Sequence, residues 1–195
     1  MLGDEPDVSI DFQGIAGWAK PPEPGDRVLT TMLFTDIVGS TAEAERLGDR
    51  AWKQLLSTHH EDVRSLLELH HGREVKMTGD GFLATFDGPA RGVACALAVS
   101  AAAHRLGIEI WAGLHSGEVE LTAGDLRGLG VHLAARIMDT AGPGQVLVSA
   151  TTRELAAGAD VFFMDRGSRE FKGISGPRQI YEAQLSRDPL PQDKE

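Results

Sequence analysis

Residues 30–43 read TTMLFTDIVGSTAE, and the passage changes character in its middle. Thr30–Ile37 is short, apolar and rich in β-formers, which predicts a buried strand. Ser40-x-x-Glu43 has the form of a capping box and predicts a helix opening at or just after Gly39. Asp36 therefore sits at a strand end just before a helix start. A carboxylate there can hold a hard cation, and the free N–H groups of the helix start can receive phosphate oxygens. The same residues serve equally well as a simple helix cap.

Working outward, Trp52, Leu55, Leu56, Val63, Leu66 and Leu67 recur at helical spacing as far as His71-Gly72. Glu74–Thr78, a Gly79-Asp80-Gly81 turn and the alternating Phe82–Phe86 predict a hairpin. Pro89 suits the first turn of a further helix that ends at Gly107. Ile108–His115 and Glu118–Thr122 predict another strand pair, and a helix follows over Val131–Ala141. Gln145–Ser149, Val161–Arg166 and Gln179–Ala183 read as strands, with a short helix over Thr151–Ala157. Helices interleaved with a mostly antiparallel sheet predict an α+β sandwich.

The 195 residues carry a formal charge of −10, with 42% hydrophobic residues and one cysteine, Cys95. Such acidity speaks against nucleic acid and anionic membrane, whose affinity rests on Lys and Arg. A phosphate-bearing ligand needs a local basic patch or an intervening metal ion. No apolar stretch approaches the roughly 18 residues that span a bilayer, and Met1–Asp11 is acidic where a signal peptide is basic. Cys95, in an alanine-rich run, reads as a small buried residue. These features predict a soluble, cytoplasmic protein. Residues 1–27, acidic and Pro-rich, read as a leader or linker; residues 28–185 form one domain, and 186–195 a flexible tail. Residues 1–26 contribute −5 and the tail −1, which leaves the intervening domain at −4.

Two further segments carry chemistry. In Lys76-Met77-Thr78-Gly79-Asp80-Gly81, Asp80 alone is an ordinary turn residue. Paired with Asp36 it offers the oxygen ligands that magnesium prefers, the remaining positions going to water and substrate phosphate. Alternation sends Lys76 to the face opposite Val75 and Met77. In Asp125-Leu126-Arg127-Gly128 and the helix after it, His132 and Arg136 stand four apart on one face. A guanidinium there can clamp phosphate or form a surface ion pair.

Together these segments resemble, in order, the motifs of the class III nucleotidyl cyclase catalytic domain, most closely the bacterial adenylate cyclases, over Val28–Ala183. The resemblance implies a ferredoxin-like α/β sandwich with a mostly antiparallel sheet flanked by helices. It implies two Mg²⁺ or Mn²⁺ ions per site, held by Asp36, Asp80 and the carbonyl of Ile37. Gly39, Ser40 and Thr41 then belong to the phosphate-binding helix start. Lys76 and Asp125 resemble the pair that reads adenine: a lysine donates to a ring nitrogen and a carboxylate accepts from the exocyclic amine, whereas guanine presents a carbonyl. Arg136 resembles the arginine that stabilises the transferring phosphoryl group, and Lys172 a lysine on the terminal phosphates. His132 departs from the family, many of whose members have asparagine four residues before the arginine.

The implied activity is conversion of ATP to 3′,5′-cyclic AMP and pyrophosphate by in-line attack of the ribose 3′-hydroxyl. The family's sites form between two subunits, and this chain holds both half-sets, so a homodimer with shared sites is expected. Guanylate cyclase activity and a nucleotide-binding regulatory module without turnover are the alternatives. A His-Glu-x-x-His zinc site is not formed at His60-Glu61, and no Gly-Lys-Ser/Thr phosphate loop is present. The pairs His59-His60 and His70-His71 read as surface or semi-buried residues.

Overall fold

Alternation along β1 (Arg27–Ile37) sends Met32 and Phe34 into one apolar cluster and Leu33 and Ile37 into another, so both faces of the strand need a cover. The computed structural model describes residues 24–122, 125–157 and 160–185 and supplies that cover. The expected leader, up to residue 23, and the tail from 186 lie outside the described residues. β1 itself begins at Arg27, one residue before the expected domain start.

After β1 come α1 (Ser40–Leu47), α2 (Asp49–Leu69), β2 (Arg73–Thr78), β3 (Gly81–Phe86) and α3 (Pro89–Arg105). The second half holds β4 (Ile110–Thr122), β5 (Asp125–Arg127), α4 (Leu129–Met138), β6 (Val146–Ser149), α5 (Ala150–Leu155), β7 (Val161–Arg169) and β8 (Arg178–Leu185). Among the described residues the strands form one sheet in the order β2-β3-β1-β4-β6-β8-β7, with β5 added to β4. Every pairing is antiparallel except β4–β6, where Ala112, Gly113 and Leu114 face Val146, Leu147 and Val148. The expected α+β sandwich, mostly antiparallel and flanked by helices, is the architecture found.

α2 and α3 bury Val63, Leu67, Val93, Ala96 and Val99 against one face of the sheet. α4 covers the other, with Ala134 against Met32, Phe34 and Leu83, and Leu133 and Ile137 against Leu147 and Ile180. Gly113 lets α4 come this close, because a Cβ there would stand 2.2 Å from the main-chain nitrogen of Met138. Cys95 is fully buried, and burial pushes its thiol up to about 12, so it packs rather than reacts.

Three local expectations are corrected. Ile108–His115 and Glu118–Thr122 do not pair with each other: they are one 13-residue strand, β4, in continuous register with β1 from Arg27↔Glu120 to Ile37↔Ile110. Ser116-Gly117 reads as a turn, yet Gly117 stays opposite Thr30 and the Ser116 hydroxyl lies 2.8 Å from that of Thr31, inside the sheet. The Ser40/Glu43 capping box does not form either. Gly39 is the N-cap, in the left-handed region at φ 61°, and Glu43 turns to Arg46 at 2.6 Å instead. Simple alternation fails in β2, where the register shifts between Glu74 and Lys76. That bulge buries Val75 and lets Lys76 project on the side where β5 lies.

Candidate active site

The β2–β3 turn is pressed against the end of β1. A Cβ on Gly81 would stand 1.9 Å from the carbonyl oxygen of Thr35, so only glycine permits the approach, and the Phe82 N–H donates to Thr35 Oγ1 at 3.3 Å. This packing brings Asp80, in the turn, beside Asp36, in the strand. Asp36 Oδ1 and Asp80 Oδ2 are both buried, and neither has a hydrogen-bond partner among the described residues. Burial, then the Asp80 charge, pushes Asp36 up to about 6, although the Ile37 N–H donates to it and opposes the shift.

Two half-buried carboxylates side by side, neither in an ion pair among the described residues, are a donor set short of a cation. Among the described residues no third His, Cys, Asp or Glu joins them as a ligand. That composition suits Mg²⁺ or Mn²⁺, which take one or two protein carboxylates and complete their shell with water and phosphate oxygens. The residues present thus fit the expected metal pair. Ile37 is buried at the strand end, and Gly39, Ser40 and Thr41 follow directly at the α1 N-terminus, whose first-turn N–H groups have no intrahelical partner.

A second pair forms on β2 and β5. Lys76 Nζ donates to Asp125 Oδ2 at 2.6 Å, each side chain about two-fifths exposed. Burial pushes the Asp125 carboxyl upward, but the Lys76 ammonium and the Leu126 N–H outweigh it and hold the group below its usual range. The residues expected to read one base edge are therefore neighbours, although 49 positions separate them.

Arg136 and His132 both lie exposed on α4, as the spacing of four requires. Arg136 donates to Asp139 at 3.0 Å, and the Asp139 charge is among those raising Asp36, so the end of α4 lies toward the carboxylate pair. Lys172 is exposed on the β7–β8 connection, between the buried anchors Phe171 and Ile174. The structure thus joins Asp36 with Asp80 and Lys76 with Asp125, as two separate pairs, and leaves Arg136, His132 and Lys172 outside both.

α2 contributes what the sequence reading passes over. His59 is 1% exposed, in register with Val63 and Leu67, and burial lowers it to about 4. It is a core residue, not a surface one. His60 is partly buried with its Nε2 unpartnered, and its ring meets the Phe82 ring edge-on, centroids 5.2 Å apart. The signal for His59 is its spacing of four and eight from Val63 and Leu67; nothing local marks His60.

A family model described as the adenylate and guanylate cyclase catalytic domain matches residues 23–184. A Rhizobium meliloti (strain 1021) protein named "Putative adenylate cyclase 3" is 35% identical over 164 residues, covering 80% of this chain and 28% of that protein. The chain likewise spans 44% of one mycobacterial relative and 60% of another. Among solved structures, the adenylyl cyclase CyaB from P. aeruginosa superposes with TM-score 0.77 at 25% identity, over 83% of this chain and 96% of that one. The guanylyl cyclase Cya2 superposes with TM-score 0.75 at 26% identity, over 87% and 98%. No described helix is long and apolar enough to cross a membrane. Fold and matched length agree: the chain belongs to the adenylate and guanylate cyclase catalytic-domain family, the class III nucleotidyl cyclases.

Proposed function

We propose that the domain is an adenylate cyclase, converting ATP to 3′,5′-cyclic AMP and pyrophosphate. The observation that carries the choice of base is the Lys76–Asp125 pair at 2.6 Å. When ATP enters, the ammonium can donate to a ring nitrogen and the carboxylate can accept from the exocyclic amine, which matches adenine. Guanine offers an oxygen where the carboxylate needs a donor.

Asp36, Asp80 and the Ile37 carbonyl would hold two Mg²⁺ or Mn²⁺ ions, whose chemistry is to neutralise phosphate charge and make the 3′-hydroxyl a better nucleophile. The chain's own residues do the rest. The α1 start at Gly39, Ser40 and Thr41 receives phosphate oxygens. The 3′-hydroxyl gives its proton to water and its oxygen bonds to the α-phosphorus as the bond from that phosphorus to the α–β bridging oxygen breaks, and pyrophosphate leaves with the electron pair. Arg136 offsets charge on the transferring group, and Lys172 that on the departing phosphates. His132 takes the place of an orienting asparagine, donating from its ring instead of from an amide.

The sites form between two copies of the chain. Among the described residues of one copy Asp36 and Asp80 form no ion pair, whereas Lys76 and Asp125 satisfy each other and Arg136 is held by Asp139. A partner's half-set completes each site.

Resemblance to a guanylyl cyclase supports GTP as the second reading. The test is cyclic nucleotide formation from ATP and from GTP, under Mg²⁺ and under Mn²⁺, with Asp80→Ala as a silent control. Cyclic AMP should dominate. Faster turnover of GTP would reverse the base assignment, and no turnover of either would leave a nucleotide-binding regulatory module.

A further inference from the structure

β2 breaks its alternation at one place, and α2 touches the strand on both sides of that break. The register Glu74↔Ala84 and Lys76↔Leu83 leaves Val75 as an extra residue. Opposed residues share a face of a sheet. Ala84 and Phe82 lie in the cluster that α2 covers, and Leu83 lies in the other. Glu74 and Met77, opposite Ala84 and Phe82, therefore face α2, while Val75 is buried in the other cluster and Lys76 pairs with Asp125 on that side. Residues three apart share a strand face only across such a bulge. Arg64, on α2, holds both of them: it donates to Glu74 at 2.8 and 3.3 Å and to Met77 Sδ at 3.3 Å. Its guanidinium carbon also lies 5.6 Å from the ring centroid of Phe82, the cross-strand partner of Met77.

We propose that Arg64 is a positioning residue for Lys76: by bridging Glu74 and Met77 it locks the bulged register of β2 and so points the lysine at the base edge beside Asp125. The inference rests on the reading of Lys76 and Asp125 as the base-recognising pair given above, and it assigns Arg64 no contact with substrate. Continued from Glu74↔Ala84 without the bulge, the ladder would set Val75 against Leu83 and Lys76 against Phe82, which turns the lysine toward α2 and away from Asp125. Continued from the turn instead, it would expel Val75, 5% exposed, from the core. The first register is therefore the competitor. In it Glu74 and Met77 stand on opposite faces, where one guanidinium cannot hold both. Arg64 and Glu74 are partly exposed, so their ion pair adds little to total stability. Its weight falls on the choice between the two registers.

The test is equilibrium binding of 3′-deoxy-ATP and 3′-deoxy-GTP to the full chain with Mn²⁺, followed by calorimetry; neither nucleotide has the hydroxyl that cyclises. Wild type should bind the adenine nucleotide more tightly. Arg64→Met keeps an aliphatic chain on Phe82 and removes the fork. It should weaken 3′-deoxy-ATP about 10-fold, the contribution of one charge-assisted hydrogen bond. It should leave 3′-deoxy-GTP binding and Tm near wild type, and raise KM for ATP with kcat little changed. Because it acts through Lys76, it should cost nothing further in a Lys76→Met background. A wild-type preference in Arg64→Met would overturn the proposal. So would equal weakening of both nucleotides, or a loss that persists in the Lys76→Met background. Should Arg64→Met fold poorly, Glu74→Ala carries the same comparison, since it opens one end of the bridge and leaves α2 intact. Lys76→Met alone separates the two layers. If it keeps the preference of wild type, the base reading fails and the inference with it. If it loses the preference while Arg64→Met does not, only the inference fails.

Discussion

Asp36 is folded into a place where its own charge is unwelcome. Burial and Asp80 raise it from 3.8 to about 6, so between those values the metal-free native chain keeps a proton that the unfolded chain has released. Its contribution to stability is therefore complete below pH 3.8 and is lost as pH rises through about 6. His59 and His115 act in the opposite sense. Each is lowered to about 4 by burial, so their contribution is present above the unfolded value of 6.5 and is lost as pH falls through about 4. A bare pH–stability curve mixes the two. The difference between wild type and Asp36→Asn isolates the carboxyl: by urea denaturation without divalent ions, the variant should gain on wild type between pH 4 and 6 and hold level above. A flat difference would remove the charge conflict from the site. At this scale the aspartates are legible because each lies in a local motif that makes sense beside the other. His60 is not, since helical spacing assigns a face but does not say which strand that face will meet.

Elements are placed here by close approaches that glycine allows. α4 carries Arg136 and His132, and its height over the sheet is set at Gly113. Gly113→Ala should cost about 1–3 kcal/mol of stability as an overpacking change, measured by denaturant unfolding, and should also lower turnover at saturating ATP because α4 must shift. Unchanged stability would mean that the helix is held elsewhere. The hairpin of β2 and β3, the Pro89 start of α3 and the run into β1 were readable because propensity, periodicity and turn residues agree there. Disagreement marks the places that were not. Ser116-Gly117 has turn chemistry but is overruled by pairing along the whole of β1, and Ser40-x-x-Glu43 has capping chemistry but is overruled by Gly39, whose left-handed backbone already turns the chain into α1. Both failures are local preferences losing to tertiary contacts, and both lie within a few residues of the ligand-binding elements.

For the molecule as a whole, the separation of Asp36/Asp80 from Lys76/Asp125 sets the central expectation. Asp36→Ala and Lys76→Ala proteins, each inactive alone, should regain partial activity when mixed, because one hybrid site in each heterodimer keeps both half-sets. No recovery after verified subunit exchange would argue for a site within one chain. The charge of −10 takes a different meaning at this scale: only about −4 falls on residues 27–185, and two divalent cations bound at the aspartates would offset it. The sheet itself is unequal across its width. Its C-terminal strands β6, β8 and β7 join the N-terminal ones through three parallel residue pairs at β4–β6, whereas β1 and β4 share eleven antiparallel ones. Parallel ladders are the weaker kind, so the ladder favours a seam between two cooperative units here, while Val146, Val148 and Ala183, in one cluster with Leu33 and Phe82, bridge it by packing. Amide hydrogen exchange should show it: β6, β7 and β8 are expected to open and take up deuterium with lower protection than β1 and β3, and uniform protection across the sheet would mean that the chain unfolds as one. Phe171 and Ile174 anchor the loop bearing Lys172 to Leu133 and Ile137 of α4 as well as to Leu147 and Ile180, so any shift of the side proposed to meet the departing phosphates would carry α4, and Arg136 with it.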